Sequence, residues 1–252
     1  MISYEKHEGY ARIAMASPPV NAIGEQFVND FHAALDKVDA AGPISALVIE
    51  SRQRTFCAGA DLALVASYFE KPGGPLEMLD YVRSLHTLFD RIEALPMVTI
   101  AAVNGVALGG GLELALACDL RVIKESASVG LPEAKVGMIP GAGGTQRLTR
   151  LCGEGIAKRI ILAGDLARGQ QAVEFGIAQY WAADDEFDAR VTALAEQVAG
   201  LSAGALRWSK YCIAGALDPA VDGFARELAV PLDIMRTQEA RERVTAFFNR
   251  KS

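Results

Sequence analysis

The chain has 252 residues, a formal net charge of −6 and a hydrophobic content of 51%. This length allows one large domain or two small ones with a substantial core, and the composition excludes disorder and fibrous repeats. The acidic balance argues against general nucleic-acid binding, because neutralising a phosphate backbone requires a basic surface.

Cysteine usage and hydropathy predict a cytoplasmic protein that neither enters a membrane nor holds a metal. The first residues contain no apolar signal core, and the least polar stretch, residues 98–112, is too short and too rich in glycine for a membrane span. The thiols are expected to be reduced, because no C-x-x-C pair occurs. The cysteines are Cys57, Cys118, Cys152 and Cys212.

Apolar residues recur at strand or helix spacing along the first two thirds of the chain. Strands are predicted over Tyr10–Met15, Ala46–Glu50, Val98–Val103, Leu120–Ile123 and Ala127–Leu131. Helices are predicted through Phe27–Val38, Leu79–Leu95, Gly111–Cys118 and Gly144–Leu151, with another beginning near Glu154. Strands separated by helices favour an α/β layered fold over a sandwich.

Strand patterns fade after residue 195, and residues 201–249 predict consecutive helices. Breaks are expected near Asp218-Pro219 and Val230-Pro231, because proline interrupts helices. We therefore predict an α/β core over residues 1–195 and a helical part over residues 196–252. No linker separates them, so one folding unit with a helical appendage is equally compatible with the sequence.

Two segments combine small residues with a possible role in ligand binding. In Phe56–Asp61 small residues let a ligand approach the backbone, although a tight, well-packed turn explains them as well. In Asn104–Glu113 three glycines at a helix start leave N–H groups free for a negative charge. Because this segment lacks the P-loop and G-x-G-x-x-G patterns, a carbonyl oxygen becoming an oxyanion is a better guest than a phosphate.

A third segment, Leu131–Thr145, places Glu133 between two prolines and ahead of a glycine-rich turn. Glu113 or Glu133 alone is explained equally well as a solvated surface charge. Together they predict a half-buried carboxylate pair with separated pKa values, one acting as a base and the other as an acid. No histidine has the spacing of a nucleophile's base, and no metal-ligand cluster occurs.

The chain resembles the enoyl-CoA hydratase/isomerase (crotonase) superfamily over residues 1–195. The matching segments occur in family order: Pro19–Ala22, Phe56–Asp61, Asn104–Glu113, Cys118-Asp119 and Leu131–Leu148. The resemblance implies a spiral of β-β-α units with a helical C-terminal part that makes oligomer contacts. It also implies a homotrimer or a hexamer of two trimers, an acyl-CoA substrate, and no separate cofactor, since coenzyme A belongs to the substrate.

The resemblance further implies roles for individual residues. The N–H groups of Ala58 and Gly110 would form an oxyanion hole for the thioester, while Glu113 positions and activates water and Glu133 exchanges a proton at C2. Arg54 matches a position that is often basic and near the coenzyme A phosphates, and Arg250-Lys251 would reach a neighbouring subunit's coenzyme A. The implied substrate-binding residues are Arg54, Ala58, Gly59, Ala60, Asp61, Leu62 and Gly110.

The two glutamates predict an enoyl-CoA hydratase of fatty acid β-oxidation or related acyl-CoA catabolism, because isomerases of the family generally use one carboxylate. An isomerase, another crotonase-type reaction and a non-catalytic acyl-CoA-binding protein are the alternatives. The sequence departs from the pattern of short-chain hydratases at Leu62–Val65, and Glu242-Arg243 stands where the family usually has Glu-Gly. A stiff loop over Lys71–Pro75 is expected to reshape the acyl pocket.

Overall fold

The computed structural model describes residues 1–216 and 218–249. The strands are β1 (Ile2–Lys6), β2 (Tyr10–Met15), β3 (Ala46–Ser51), β4 (Val98–Val103), β5 (Ala107–Leu108), β6 (Leu120–Lys124), β7 (Ser128–Gly130), β8 (Ala167–Arg168) and β9 (Tyr180–Ala182). The helices are α1 (Glu25–Ala40), α2 (Leu62–Phe69), α3 (Gly74–Ala94), α4 (Gly110–Leu116), α5 (Gly144–Leu162), α6 (Gly169–Glu174), α7 (Phe187–Ala199), α8 (Ala203–Gly215), α9 (Gly223–Ile234) and α10 (Gln238–Asn249). A 3-10 turn covers Glu133–Val136.

A six-stranded sheet in the order β1-β2-β3-β4-β6-β9 forms the centre of the molecule. Only β1 runs antiparallel to its neighbour, and the other strands are parallel. A smaller sheet of β5, β7 and β8 lies beside it. Single bridges pair Ile23 with Ala60 and Cys57 with Ala107, and they fix the glycine-containing segment after β3 between the α1 entry and β5.

The central sheet is buried on both faces, which explains why its parallel strands are continuous apolar runs. In β3, Leu47 and Ile49 point into the core formed with α1, α3, α4 and α5. Ala46 and Val48 point to the opposite face, which is covered mainly by α7. This alternation follows from the two-residue period of a strand.

Every predicted strand and helix of the first two thirds of the chain is present. The expected interruption between residues 151 and 154 is confirmed, because Gly153 takes φ +78° and breaks the helical path of α5. The break at Asp218-Pro219 is also confirmed, since it falls between α8 and α9. The break at Val230-Pro231 is wrong. Proline removes only its own N–H, and the carbonyl of Pro231 still accepts from Met235 N–H at 3.0 Å.

Residue 195, where the sequence places the end of the core, lies inside α7. Val191, Leu194 and Ala195 of this helix pack against the sheet, so the helical part begins with α8. The ion pair between Lys210 and Asp119, with Nζ and Oδ2 2.8 Å apart, attaches α8 to the core. Arg250-Lys251 lies outside the described residues. No helix of the described ranges has both the length and the apolar character needed to cross a bilayer.

Candidate active site

A cavity of about 310 Å³ lies where α2, α3 and the start of α4 meet the 3-10 turn. Both sequence-predicted glutamates, Glu113 and Glu133, line this cavity. The segment over residues 58–60 and the glycines at 109 and 110 form another part of its wall, and α3 supplies apolar side chains to the remainder. The fold therefore brings the three glycine-containing segments together, as the sequence predicts.

Glu113 is held in one orientation. It lies in the first turn of α4 and is only 3% exposed. Its Oε1 accepts hydrogen bonds from Ala142 N–H at 2.8 Å and from Gly144 N–H at 2.7 Å. Burial raises the pKa of Glu113 above its usual range, while these two hydrogen bonds act to lower it. Oε1 is therefore occupied, and no hydrogen bond within the described residues reaches Oε2.

The turn that holds Glu113 is itself braced from α3 and α5. His86 Nε2 lies 2.8 Å from the Gly141 carbonyl and donates to it. Arg147 Nη1 donates to the Ala142 carbonyl at 3.1 Å, and its Nη2 lies 2.6 Å from Asp90 Oδ1. The sequence pattern predicts that His86 lies on a helix and predicts no role for it. Its contact lies across a separation of 55 residues, which no local pattern predicts.

Glu133 stands in a different environment. It begins the 3-10 turn and is half-buried, and its buried Oε2 has no hydrogen-bond partner in the part of the chain that the structure describes. Burial raises the pKa of Glu133 to about 7, and the nearby charge of Glu113 contributes to the rise. A carboxyl group with a pKa near neutrality can both accept and donate a proton, as a general acid–base requires.

Gly109 is required opposite Glu133. Its φ is +53°, and a Cβ at this position would lie only 3.1 Å from Glu133 Oε1. A side chain at residue 109 would therefore strain the backbone and crowd the carboxylate.

The backbone amides differ from the sequence prediction at one position. Ala58 N–H donates to the Val20 carbonyl at 3.0 Å, so it is not available to a ligand, and its predicted role as a donor is wrong. Ala60 N–H has no acceptor among the described residues, and its nitrogen is 3.6 Å from where a Cβ on Gly110 would lie. Gly110 is the first residue of α4, where N–H groups lack helical partners.

The pairing of Ile23 with Ala60 explains this difference. Ile23 N–H donates to the Gly59 carbonyl at 2.8 Å, and Asp61 N–H donates to the Ile23 carbonyl at 3.0 Å. The Ala60 N–H between them points away from this partner. The sequence shows three small residues in a row, but which amide is free depends on a neighbour more than thirty positions away.

Of the remaining residues predicted to bind substrate, some line the cavity and others lie outside it or have a structural role. Leu62 is 61% exposed and lines the cavity, as do Ala58 and Gly59. Arg54 is exposed, lies outside the cavity lining and makes no ion pair within the described residues. Asp61 caps α2, with Oδ1 accepting from Ala63 N–H at 2.9 Å and from Leu64 N–H at 3.3 Å.

Replacing Asp61 by alanine is expected to lower the free energy of unfolding by about 1 kcal/mol, because the N-terminus of α2 loses its cap. Asparagine at this position should retain most of the stability, since its side-chain oxygen can accept the same bonds. Urea unfolding of both variants measures this. An unchanged stability together with a tenfold higher KM for an acyl-CoA would instead make substrate contact the main role of Asp61.

Comparison with known proteins identifies the family of this chain. The family model described as enoyl-CoA hydratase/isomerase matches residues 5–252. A putative enoyl-CoA hydratase/isomerase of Bacillus subtilis, YngF, is 34% identical over 245 residues, which cover 96% of this chain and 92% of that protein. The mouse mitochondrial enoyl-CoA hydratase domain-containing protein 2 is 36% identical, over 98% of this chain and 84% of that protein.

Solved structures agree with this assignment. Pseudomonas aeruginosa DspI superposes with a TM-score of 0.91 at 35% identity, covering 99% of this chain and 94% of the other. An enoyl-CoA hydratase from Bacillus anthracis gives a TM-score of 0.91 at 30% identity, covering 99% and 96%. The fold is thus the crotonase fold that the resemblance implies. The chain belongs to the enoyl-CoA hydratase/isomerase family, the crotonase superfamily, and the family supports a crotonase-type reaction on an acyl-CoA.

Proposed function

We propose that the protein is an enoyl-CoA hydratase, which adds water across the 2,3 double bond of a 2-enoyl-CoA to give a 3-hydroxyacyl-CoA. The observation that carries this proposal is the pair of carboxyl groups in one cavity. Glu113 is fixed by two amides, whereas Glu133 Oε2 has no hydrogen-bond partner among the described residues. We place the reaction in fatty acid β-oxidation or related acyl-CoA catabolism. No separate cofactor is needed, because hydration changes no oxidation state overall.

In the proposed reaction the thioester carbonyl lies between the N–H groups of Ala60 and Gly110. These donors, with the N-terminus of α4 behind one of them, stabilise the negative charge that develops on the carbonyl oxygen as the enolate forms. Each such donor is worth about 10²–10³ in rate. The small residues of both segments support this placement, because they let the thioester approach the backbone.

The two carboxyl groups divide the remaining chemistry. Glu113 Oε2 holds a water molecule and takes its proton as the water oxygen bonds to C3. Glu133 delivers a proton to C2 of the enolate, and proton exchange through bulk solvent restores both groups. The elevated pKa of Glu133 supports its role as the acid, since a protonated carboxyl is available near neutral pH.

An enoyl-CoA isomerase is the second candidate. Glu133 by itself, with a pKa of about 7, can move a proton between C4 and C2, so this reaction does not need Glu113. A non-catalytic acyl-CoA-binding protein is a third candidate from a different class, which the carboxylate pair disfavours.

Glu113→Gln separates these candidates. Hydration of crotonyl-CoA is expected to fall about 10²-fold, because an amide cannot take the proton of water, while isomerisation of a 3-enoyl-CoA persists. Both activities are measured on the wild type and the variant, with circular dichroism to confirm folding. Unchanged hydration would overturn the role of Glu113, and a wild type inactive in both assays would favour a binding protein.

Three further assignments are part of this proposal. Arg54 contacts the coenzyme A phosphates, for which its guanidinium is suited, since it is exposed and forms no ion pair with any residue that the structure describes. The protein forms a homotrimer or a dimer of trimers through its helical C-terminal part, and the exposed apolar side chains of Phe224, Leu228 and Leu232 on α9 support this. The proposed location is the cytoplasm, in keeping with four free thiols, although some relatives carry mitochondrial names.

A further inference from the structure

Tyr81 of α3 lines the catalytic cavity, and the proposed reaction gives it no role. It is 4% exposed, and its hydroxyl donates to the Ile23 carbonyl at 2.6 Å. This contact spans 58 residues of the chain and joins α3 to the segment just ahead of α1. Burial raises the pKa of Tyr81, so the hydroxyl stays protonated near neutral pH and serves as a hydrogen-bond donor.

The Ile23 carbonyl that Tyr81 binds belongs to the bridge beside a proposed oxyanion donor. It also accepts from Asp61 N–H at 3.0 Å, and Ile23 N–H donates to the Gly59 carbonyl at 2.8 Å. These two backbone bonds lie on either side of Ala60, whose N–H has no acceptor among the described residues. Ala60 thus takes its orientation from Ile23, and Ile23 is in turn bonded to Tyr81.

The bridge that Tyr81 reinforces is short. Ile23 and Ala60 form an isolated pair rather than part of a longer ladder. The peptide group that carries the Ala60 N–H follows Gly59, whose φ of +99° is open to glycine and costly for other residues. Because glycine restricts this peptide group little, hydrogen bonds from outside the segment decide where the N–H points. The Tyr81 hydroxyl adds a third such bond to the two from the backbone.

The side chain of Ile23 contacts the second proposed donor. Ile23 is fully buried, and a Cβ on Gly110 would lie 3.2 Å from its Cδ1. Ile23 therefore packs against the first turn of α4, while its backbone holds the segment that contains Ala60. By fixing the Ile23 carbonyl, Tyr81 fixes the Ala60 N–H relative to the Gly110 N–H.

From this geometry we propose that Tyr81 is a positioning residue of the oxyanion hole. Through the Ile23 carbonyl it keeps the Ala60 N–H directed at the thioester oxygen. This inference rests on the proposed function and deepens it, because it adds a residue that acts on the enolate charge rather than on water or proton transfer. Loss of the hydroxyl should therefore weaken one oxyanion donor and leave the carboxyl groups of the site unchanged.

Removing the hydroxyl tests this role in turnover. In Tyr81→Phe the single-turnover rate of crotonyl-CoA hydration is expected to fall about tenfold, a part of the roughly 10²–10³ that complete loss of a donor costs. Tyr68→Phe is the matched control, because Tyr68 is 5% exposed and its hydroxyl bonds Glu25 Oε1 at 3.4 Å instead of Ile23. It should leave the rate within twofold, with circular dichroism to confirm that both variants fold. An equal fall in Tyr68→Phe, or no fall in Tyr81→Phe, would overturn the inference.

A chain in which lactic acid replaces Ala60 has no N–H at this position and shows whether Tyr81 acts through that amide. If it does, Tyr81→Phe lowers the rate about tenfold in the amide protein and by less than twofold in the ester protein, because the donor that it aligns is already absent. A merely structural role lowers both rates by the same factor, so equal losses would contradict the proposal.

The carbonyl stretching frequency of a bound thioester reports the alignment of the donors without turnover. Butyryl-CoA labelled with carbon-13 at C1 cannot be hydrated, and its carbonyl band should move to lower frequency on binding the wild type, as the two N–H groups polarise it. In Tyr81→Phe about half of this displacement should be lost, because one of two donors is misaligned. Isotope-edited infrared difference spectroscopy measures the band, and a displacement equal to that of the wild type would overturn the inference.

The infrared and rate measurements separate this inference from the proposed reaction. Hydration of crotonyl-CoA with a carbonyl band that Tyr81→Phe leaves unchanged refutes the positioning role and leaves the hydratase standing. A band displacement that depends on Tyr81, in a protein that hydrates no 2-enoyl-CoA, refutes the hydratase and leaves the positioning role standing. Both effects together support both. A wild type that displaces no band refutes the placement of the thioester between the two amides, and the positioning role with it.

Discussion

Replacing Glu133 by glutamine is expected to lower kcat for hydration of a 2-enoyl-CoA about 10³–10⁴-fold, the upper part of the range for a positioned acid–base group. The physical reason is that protonation at C2 completes the addition, and an amide side chain cannot donate that proton. KM should change little, because glutamine has nearly the same shape and the oxyanion donors are untouched. The measurement is the loss of enoyl-thioester absorbance under saturating substrate.

Glu174→Gln is the matched control for this substitution, since Glu174 is an exposed glutamate of α6 outside the cavity. It should leave kcat within a factor of two. Hydration by Glu133→Gln within tenfold of the wild-type rate would remove Glu133 from the mechanism and require another proton donor. The wild-type pH profile of kcat/KM should also bend near the pKa of Glu133, about 7.

The same substitution has a consequence for stability. Because burial raises the pKa of Glu133 from 4.5 to about 7, the folded state holds this proton more tightly than the unfolded state. The resulting stabilisation is complete below the unfolded pKa and is lost as pH rises through about 7. The wild type should therefore lose stability relative to Glu133→Gln between about pH 5 and about pH 8 in urea unfolding, and a constant difference would contradict the raised pKa.

Removing the Ala60 N–H is expected to lower kcat about 10²–10³-fold, the usual loss for one oxyanion donor. The change is made without altering any side chain, by incorporating lactic acid in place of Ala60, so that an ester oxygen replaces the amide nitrogen. The thioester oxygen then keeps a single donor, Gly110 N–H. Single-turnover rates measure the effect on the chemical step.

Ala58 provides the control, because it is also an alanine and takes the same analogue. Its N–H is bonded to the Val20 carbonyl, so the ester at residue 58 should cost about 0.5–1.5 kcal/mol of stability and leave the single-turnover rate within threefold. A large rate loss at residue 58 with none at residue 60 would restore the donor that the sequence predicts.

The sequence predicts which segments form the candidate site, but not which individual N–H groups are free to bind a ligand. Glycines before a helix indicate where backbone N–H groups are exposed. Apolar neighbours in the sequence indicate that Glu113 and Glu133 are partly buried in the folded protein. Both signals are local, because they depend on backbone freedom and on hydropathy. No local signal predicts that the N–H of Ala60 is free, because this depends on the pairing of Ile23 with this segment.

The same limit explains the other differences. The turn that binds Glu113 is held by hydrogen bonds from His86 and Arg147 to backbone carbonyl groups. Every residue has a carbonyl group, so the sequence does not show which one is bound. The sequence pattern does not predict β1, an edge strand with mixed polarity, nor the short strands β5, β8 and β9, which have only two or three residues each. The end of the strand patterns predicts a boundary at residue 195, yet the apolar face of α7 still covers the sheet.

Helix α3 contacts both ends of the candidate site. Toward its start, Met78 lines the candidate site, and two turns later His86 holds the turn that orients Glu113. Near its end, Asp90 fixes Arg147, which holds the same turn. The apolar lining of the cavity and the orientation of Glu113 thus depend on the same helix, so a substitution that shifts α3 alters both at once.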